Sequence, residues 1–315
     1  MSGAAALVPE PLRRSARDRG PSWAAFVEGL PGVLTDLLAS WDLEPDGPAQ
    51  HGQVAMVLPV RGPQRQEWSL KIGHVDVESA HEHLTLDTWD GRSAVRLLRA
   101  DPRRGALLLE RAGPRDLTSL PVLQACEVVA DLVDQLHVPA PGRLPLLSEL
   151  VAGWSADLQA RGTRLPVPRR LLDQAVALGR AFATDPATDG VTLHGDLHDT
   201  NVLASRRGDG LDEWLAIDPK GISGDPHYEP APMLWNRWEE VLAANDARFA
   251  IRRRFHTFVD VAGLDEERAR DWVVVRTMDA ALGAVEAADL ALRDLDARDR
   301  RWITTCITVA KAVQD

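Results

Sequence analysis

The chain has 315 residues, 45% of them hydrophobic and 26% charged, with a formal net charge of -11. That balance supports the core of one large domain or two lobes, and it disfavours a nucleic-acid binder, whose surface is normally basic. No apolar run approaches the roughly 18 residues of a membrane span, and Cys126 and Cys306 stand alone in helical patterns, as reduced core thiols of a cytoplasmic protein do.

Residues 1 to about 20 read as a loosely held arm. Arg13, Arg14 and Arg17 follow its brief apolar run, the reverse of a signal peptide. Ser22 stands where a helix cap would, before Trp23, Phe26, Val27 and Leu30; Pro31 breaks or restarts the helix, and Val33, Leu34, Leu37, Leu38 and Trp41 continue the spacing. The period then changes to two. Val54–Val60 and Trp68–Ile72 read as strands around the turn Arg61-Gly62-Pro63-Gln64. A helix from Glu78 to Trp89 follows, then strands Ala94–Leu98 and Ala106–Glu110 around further turns. Gly113-Pro114 marks a shift in composition, and the pattern beyond it is mostly helical. Helices are expected after Thr118 or Ser119, over about 145 to 160 and 168 to 184, and then over 231 to 243, 246 to 262, 265 to 291 and 295 to 313. Arg252-Arg253-Arg254 reads as a solvated face of one of them. The whole is an α+β chain.

The chemistry concentrates in His194-Gly195-Asp196-Leu197-His198-Asp199-Thr200-Asn201, followed by the apolar strand Trp214–Ile217 ending in Asp218. Phosphoryl transfer from a nucleotide needs a carboxylate to accept the hydroxyl proton, and an amide oxygen and second carboxylate to hold Mg²⁺ against the phosphates. Asp196, Asn201 and Asp218 supply that set. Asp218 at a strand end would be costly to bury without a cation. Lys71 sits within an apolar strand, an awkward place for an ammonium without an anionic partner. The next helix offers one, with Glu82 and Glu78 as rivals, and a strand Lys paired to a helix Glu is how kinases hold nucleotide phosphates. His194 reads as a brace of the loop. A zinc pair of His194 and His198 is the competing use, disfavoured by Gly195 and by the absence of HExxH; His81-Glu82-His83 points in different directions on a helix. No GxGxxG or Walker A motif is present, so Gly52, in His51-Gly52-Gln53, is the one candidate for a phosphate-covering loop.

With these residues in view, the chain resembles the aminoglycoside phosphotransferase group of the protein-kinase-like superfamily, and within it the streptomycin 6-phosphotransferase and hydroxyurea phosphotransferase branch. The resemblance rests on Leu70-Lys71-Ile72, on His81-Glu82 leading to Trp89-Asp90-Gly91, on Ala94–Leu98, on Ala106–Arg111 and on His194–Asn201. Ile217-Asp218-Pro219-Lys220-Gly221 followed by Gly224-Asp225-Pro226 is its most specific part. It implies a bilobal protein-kinase-like fold: residues 1–111 as a small antiparallel-sheet lobe binding the nucleotide phosphates, and 112–315 as a mainly helical lobe carrying the catalytic loop and the acceptor. It implies ATP and Mg²⁺ as cofactors, Asp196 as base, Asn201 and Asp218 as metal ligands, Lys71 with Glu82 on the phosphates, and backbone from Glu110 to Ala112 meeting the base. The acceptor is a small molecule, with streptomycin the named candidate and a cation suited to the acidic balance. Asp199, Asp225, Glu229 and Trp235 are the acceptor-side candidates. An endogenous sugar or other metabolite is the alternative acceptor; a non-catalytic nucleotide-binding module and a metallohydrolase are remote alternatives. Two departures stand out: Ala112-Gly113-Pro114 where the branch usually has Pro-Gly, and Glu229 where it tends to carry Asp.

Overall fold

The computed structural model describes residues 2–16, 20–75, 80–208 and 213–314. The chain divides into two compact units, Met1–Pro114 with Ala204–Leu215, and Arg115–Leu203 with Ala216–Asp315. The boundary thus falls three residues beyond the expected 111, and a later segment returns to the first unit. Arg207 accounts for that return: it donates from Nε and Nη2 to the Glu110 carboxylate at 2.8 and 2.7 Å, and to the carbonyls of Gly91 and Ala94.

The first unit begins with helices α1 (Ser2–Leu7), α2 (Glu10–Ser15) and α3 (Pro21–Ser40). Its strands are β1 (Glu44–Pro45), β2 (Gln50–His51), β3 (Ala55–Arg61) and β4 (Glu67–Gly73); α4 (Glu82–Trp89), β5 (Leu97–Asp101) and β6 (Ala106–Glu110) follow. The antiparallel sheet runs β1-β3-β4-β6-β5, with β2 also paired to β3. Leu58 and Val60 of β3 and Leu70 and Ile72 of β4 are buried against Leu30, Leu34 and Leu37 of α3. Because side chains alternate across a strand, this places Lys71 on the opposite face.

Residues 2–16 are not a loose arm. Val8 and Leu12 are buried in the core beneath α3, and Trp23 donates to Ser15 Oγ at 3.0 Å. Nor does Pro31 break α3, which runs through it from Pro21; the helix start follows Gly20 rather than a Ser22 cap. The strand expected at Ala94–Leu98 lies three residues later, with an irregularity between Leu97 and Arg99. Glu78 lies outside the described residues.

The second unit holds α5 (Val122–Leu136), α6 (Leu147–Arg161), α7 (Arg169–Phe182) and β7 (Val191–Leu193). In chain order β8 (Val202–Ala204) and β9 (Trp214–Ala216) follow, their Ala204–Leu215 portion counted with the first unit; the second unit then continues with β10 (Ile222–Gly224), α8 (Ala231–Trp235), α9 (Trp238–Ala243), α10 (Ala247–Ala262), α11 (Glu266–Leu290) and α12 (Ala297–Ala312). Asp246, Asp265 and Asp296 cap the last three helices, satisfying backbone amides that lack intrahelical partners. The single helix expected over 231 to 243 is two, separated by Asn236 and by Arg237 at φ 50°. Arg254 stabilises that break by donating to the Asn236 carbonyl at 2.8 Å and to that of Arg237. It is therefore buried, not part of a solvated basic face. Among the described residues no helix is long and apolar enough to cross a membrane, and both cysteines are buried and free.

The packed position of Leu12 makes the N-terminal segment testable. Leu12→Ala should destabilise the first unit by about 2–3 kcal/mol in denaturant unfolding; a change below about 0.5 kcal/mol, as for an exposed position, would mean that the segment is not packed.

Candidate active site

In the first unit, Lys71 Nζ donates to both Glu82 oxygens, at 2.7 and 2.8 Å. The side chains are 12% and 5% exposed, so the pair is largely shielded from solvent. The pair forms because Lys71 leaves the face shared by Leu70 and Ile72, and because α4 opens with Glu82. Gly52 lies in the exposed turn between β2 and β3, its amide bonded to the Ala55 carbonyl at 2.9 Å. A Cβ there would meet open space, so the protein itself imposes no need for glycine. Glu110 ends β6. Burial alone would raise its carboxyl, but the Arg207 hydrogen bonds and the Arg96 amide outweigh that and hold it below the ordinary range. Its side chain is a brace, and its amide is bonded to the Arg96 carbonyl at 2.9 Å. The Gly113 amide is bonded to the Ala204 carbonyl at 2.7 Å.

In the second unit, β7 and β10 pair with Leu193 opposite Ile222, which sets the loops at 194–201 and 218–221 side by side. The Lys220 amide bonds to the His194 carbonyl at 2.8 Å, and the Ile217 amide to the Asn201 carbonyl at 2.9 Å. His194 is buried. Its Nε2 contacts the Ile217 carbonyl at 2.9 Å and must donate, while its Nδ1 accepts from the Asp196 amide at 3.2 Å. Burial holds this imidazole neutral, its pKa pushed down to about 3. With both nitrogens committed to the backbone, His194 is a brace and not a zinc ligand, and among the described residues no three His, Cys, Asp or Glu side chains form a metal cluster.

Asp196 is one-third exposed at its side chain (33%), with His198 Nε2 4.0 Å from its Oδ1. Desolvation raises its pKa above the ordinary value against the opposing charges of His198, Lys220 and Arg276. A raised pKa makes it a better proton acceptor. Asn201 donates Nδ2 to the Asp196 carbonyl at 2.9 Å, which leaves its amide oxygen for another role. Asp218 is held at φ 61°, a left-handed conformation uncommon outside glycine and costly unless the surroundings enforce it. An amide oxygen and a carboxylate, tied together through the Ile217–Asn201 bond, are the hard donors that suit a divalent cation such as Mg²⁺.

The acceptor-side candidates are placed differently. Glu229 is buried, and its carboxylate accepts from the His194 amide at 2.7 Å and from the Gly195 amide at 3.1 and 3.2 Å. Asp225, also buried, accepts from His227, from Trp272 Nε1 at 2.7 Å and from Arg268. Asp199 is buried in an ion pair with Arg237 at 3.2 Å. Trp235 lies edge-on to Trp302 and within 5.4 Å of the Arg276 guanidinium. Glu229 and Asp225 are thus spent on the scaffold, Asp199 is paired through one oxygen while its Oδ2 is buried without a hydrogen bond, and Trp235 packs beside them. An acidic residue in a loop beside a catalytic motif carries no local mark that separates the two uses.

The sequence of the chain matches the family model described as aminoglycoside/hydroxyurea antibiotic resistance kinase over residues 40–288. It belongs to that family. It is 40% identical to a hydroxyurea phosphotransferase of Kitasatospora aureofaciens, covering 92% of this chain and 84% of that one. A streptomycin 6-kinase of Streptomyces glaucescens is 35% identical, with 90% and 93% covered. Among solved structures, the macrolide 2'-phosphotransferase of Brachybacterium faecium superposes with a TM-score of 0.53 at 15% identity, covering 90% of this chain and 98% of that one, a likeness of fold. The chain is a small-molecule kinase of bilobal protein-kinase-like fold.

Sequence reasoning missed the most consequential side chain of this kinase. Arg276 of α11 donates to the Gly195 carbonyl at 2.7 Å and to the Tyr228 carbonyl at 2.9 Å, with its guanidinium 3.8 Å from the centre of the Tyr228 ring. Its one sequence signal was a lone arginine amid the apolar Val273-Val274-Val275 and Met278. Gly195 is therefore held at its amide by Glu229 and at its carbonyl by Arg276.

Burial raises the Glu229 pKa to about 6, against the opposing effects of Arg276 and the two amides. A raised carboxylate pKa stabilises the fold below the unfolded value and loses that contribution as pH rises through the folded value. The shift from 4.5 to about 6 corresponds to roughly 2 kcal/mol. Unfolding free energy should therefore fall by about that amount between pH 4.5 and 7 in the wild type relative to Glu229→Gln. Parallel pH profiles for the two proteins would show that Glu229 does not titrate with this shift.

Proposed function

We infer that the kinase transfers the γ-phosphate of ATP to a hydroxyl of a small molecule, with an aminocyclitol such as streptomycin the leading acceptor. The observation that carries the chemistry is Asp196: a carboxylate with raised proton affinity and accessible oxygens, in a loop whose other groups are pinned. Asp196 orients the acceptor hydroxyl and takes its proton late, as the new P–O bond forms and the bond to the β-phosphate oxygen breaks, its electron pair leaving with ADP. Asn201 and Asp218 would hold the Mg²⁺, which neutralises the phosphate charge when bound. Lys71, fixed by Glu82, supplies the cation for the nucleotide phosphates, and the backbone from Glu110 to Ala112 meets the base. On this reading the first unit serves the nucleotide and the second the catalytic loop and acceptor.

The streptomycin reading draws on the streptomycin 6-kinase relative and on a net charge of -11, which suits a polycation. Hydroxyurea is the second reading, favoured by the 40% identical hydroxyurea phosphotransferase and by the burial of Asp225 and Glu229, which removes two carboxylates that would otherwise recognise a cation.

ADP release from Mg-ATP, measured with streptomycin, other aminoglycosides, hydroxyurea, glucosamine and simple sugars, tests both. Turnover on streptomycin should exceed that on the rest, and Asp196→Ala should lower kcat by about 10²–10⁴-fold while leaving ATP binding nearly intact. Turnover on a sugar alone would discard the antibiotic reading and keep the mechanism; a fully active Asp196→Ala would remove Asp196 as base. Asp218→Ala should weaken binding of Mg-ATP itself.

A further inference from the structure

A cavity of about 500 Å³ lies within the first unit, lined by Trp89, Asp90, Gly91, Arg92, Arg96, Glu110 and Arg207. Among the described residues it is separate from the phosphate lysine, since neither Lys71 nor Glu82 lines it. Three guanidiniums converge here against two carboxylates, in a chain whose overall charge is -11. Glu110 is committed to Arg207, which fixes both as one wall. Arg92 and Arg96 are exposed, and Arg96 is near enough to Glu110 to help hold its carboxyl low. Arg96 is also drawn close to Arg207: Arg96 Nε and Arg207 Nη2 lie 3.1 and 3.3 Å from the point where a Cβ on Gly91 would stand. Arg207 is already paired with Glu110, so Arg96 brings a further positive charge to a neutral pair, one that an anionic ligand would balance. The turn that carries them is built for this approach. Asp90, Gly91 and Ser93 have φ of 45°, 79° and 49°, and glycine at 91 suits both its positive φ and the close approach of the two guanidiniums.

The geometry points to a second ligand site on this kinase, an arginine cradle that takes a multiply charged phosphate group. Arg96 and Arg92 provide forked donors matched to phosphate oxygens, and the Arg207–Glu110 pair forms the fixed floor. Glu110 also ends the strand that leads to Ala112, so occupancy of the cradle would reach the same segment that our functional reading assigns to the base.

Titration calorimetry on the full-length protein tests the site with two probes, inorganic pyrophosphate and glucose 6-phosphate, at low and moderate salt. Saturable binding is expected that weakens with ionic strength, loses about tenfold or more in affinity in the double variant Arg92→Gln/Arg96→Gln, and persists in Lys71→Met. Preference for pyrophosphate would identify a free polyphosphate as the ligand, and preference for the sugar phosphate an organic phosphomonoester. The site is overturned by the absence of saturable binding, by binding that survives the arginine substitutions, or by binding that Lys71→Met abolishes, which would place the anion on the nucleotide lysine. Because the readout is binding, its failure leaves the assignment of Asp196 as base untouched.

Discussion

The two peptide groups that meet at Gly195 are the constraint on which the loop at 194–201 depends. The Gly195 amide is held by a buried carboxylate and its carbonyl by a buried guanidinium, so neither end of the residue before Asp196 can move without stranding a charge. Charge-assisted hydrogen bonds of this kind contribute more than neutral ones, and losing one partner costs more still because the other stays buried. Glycine is required at the centre. Its φ is 79°, and a Cβ would stand 3.2 Å from Ile222 and 3.3 Å from Lys220. Arg276 reaches it from α11, which packs against α7 and α12, so the long C-terminal helices position a loop far from them in sequence. His194 then ties the Asp196 amide to the Ile217 carbonyl, and Asn201 ties the same residue from the other side. One network thereby fixes Asp196, the base we propose, together with Asn201 and the loop that carries Asp218.

A parallel economy operates in the first unit. The pleat of β4 sends Leu70 and Ile72 into the core and so gives Lys71 no apolar neighbour on its own face from that strand. Glu82 at the start of α4 compensates it. The pair lies on a central strand, with Val57 opposite Lys71 on one side and Leu107 on the other, where displacement would break two ladders at once.

Much of this was legible in the sequence because it is encoded locally. The change from helical to strand period near residue 54 and back after Gly113 marks the two architectures, and an Asp five residues before an Asn and ahead of a strand ending in Asp needs no tertiary knowledge to read. Lys71 announced a partner by being charged in an apolar strand. What could not be read was which polar residues are buried. Glu229 and Arg276 reach Gly195 across 34 and 81 positions of sequence, and no periodicity connects them. Arg254 looked solvated beside Arg252 and Arg253 because its partners are carbonyls exposed by a helix break, and that break depends on Arg237 adopting a left-handed conformation that its side chain does not favour. The N-terminal helices escaped notice because six-residue segments carry too few turns to show a face.

The measurement that bears most directly on this account is the steady-state behaviour of Arg276→Gln, with ATP affinity determined alongside. If the arginine acts by holding the Gly195 carbonyl, kcat should fall by about 100-fold, as expected for a misplaced base, while the Kd for Mg-ATP changes little. A variant that binds ATP normally and retains wild-type kcat would contradict the claim that the clamped Gly195 positions Asp196.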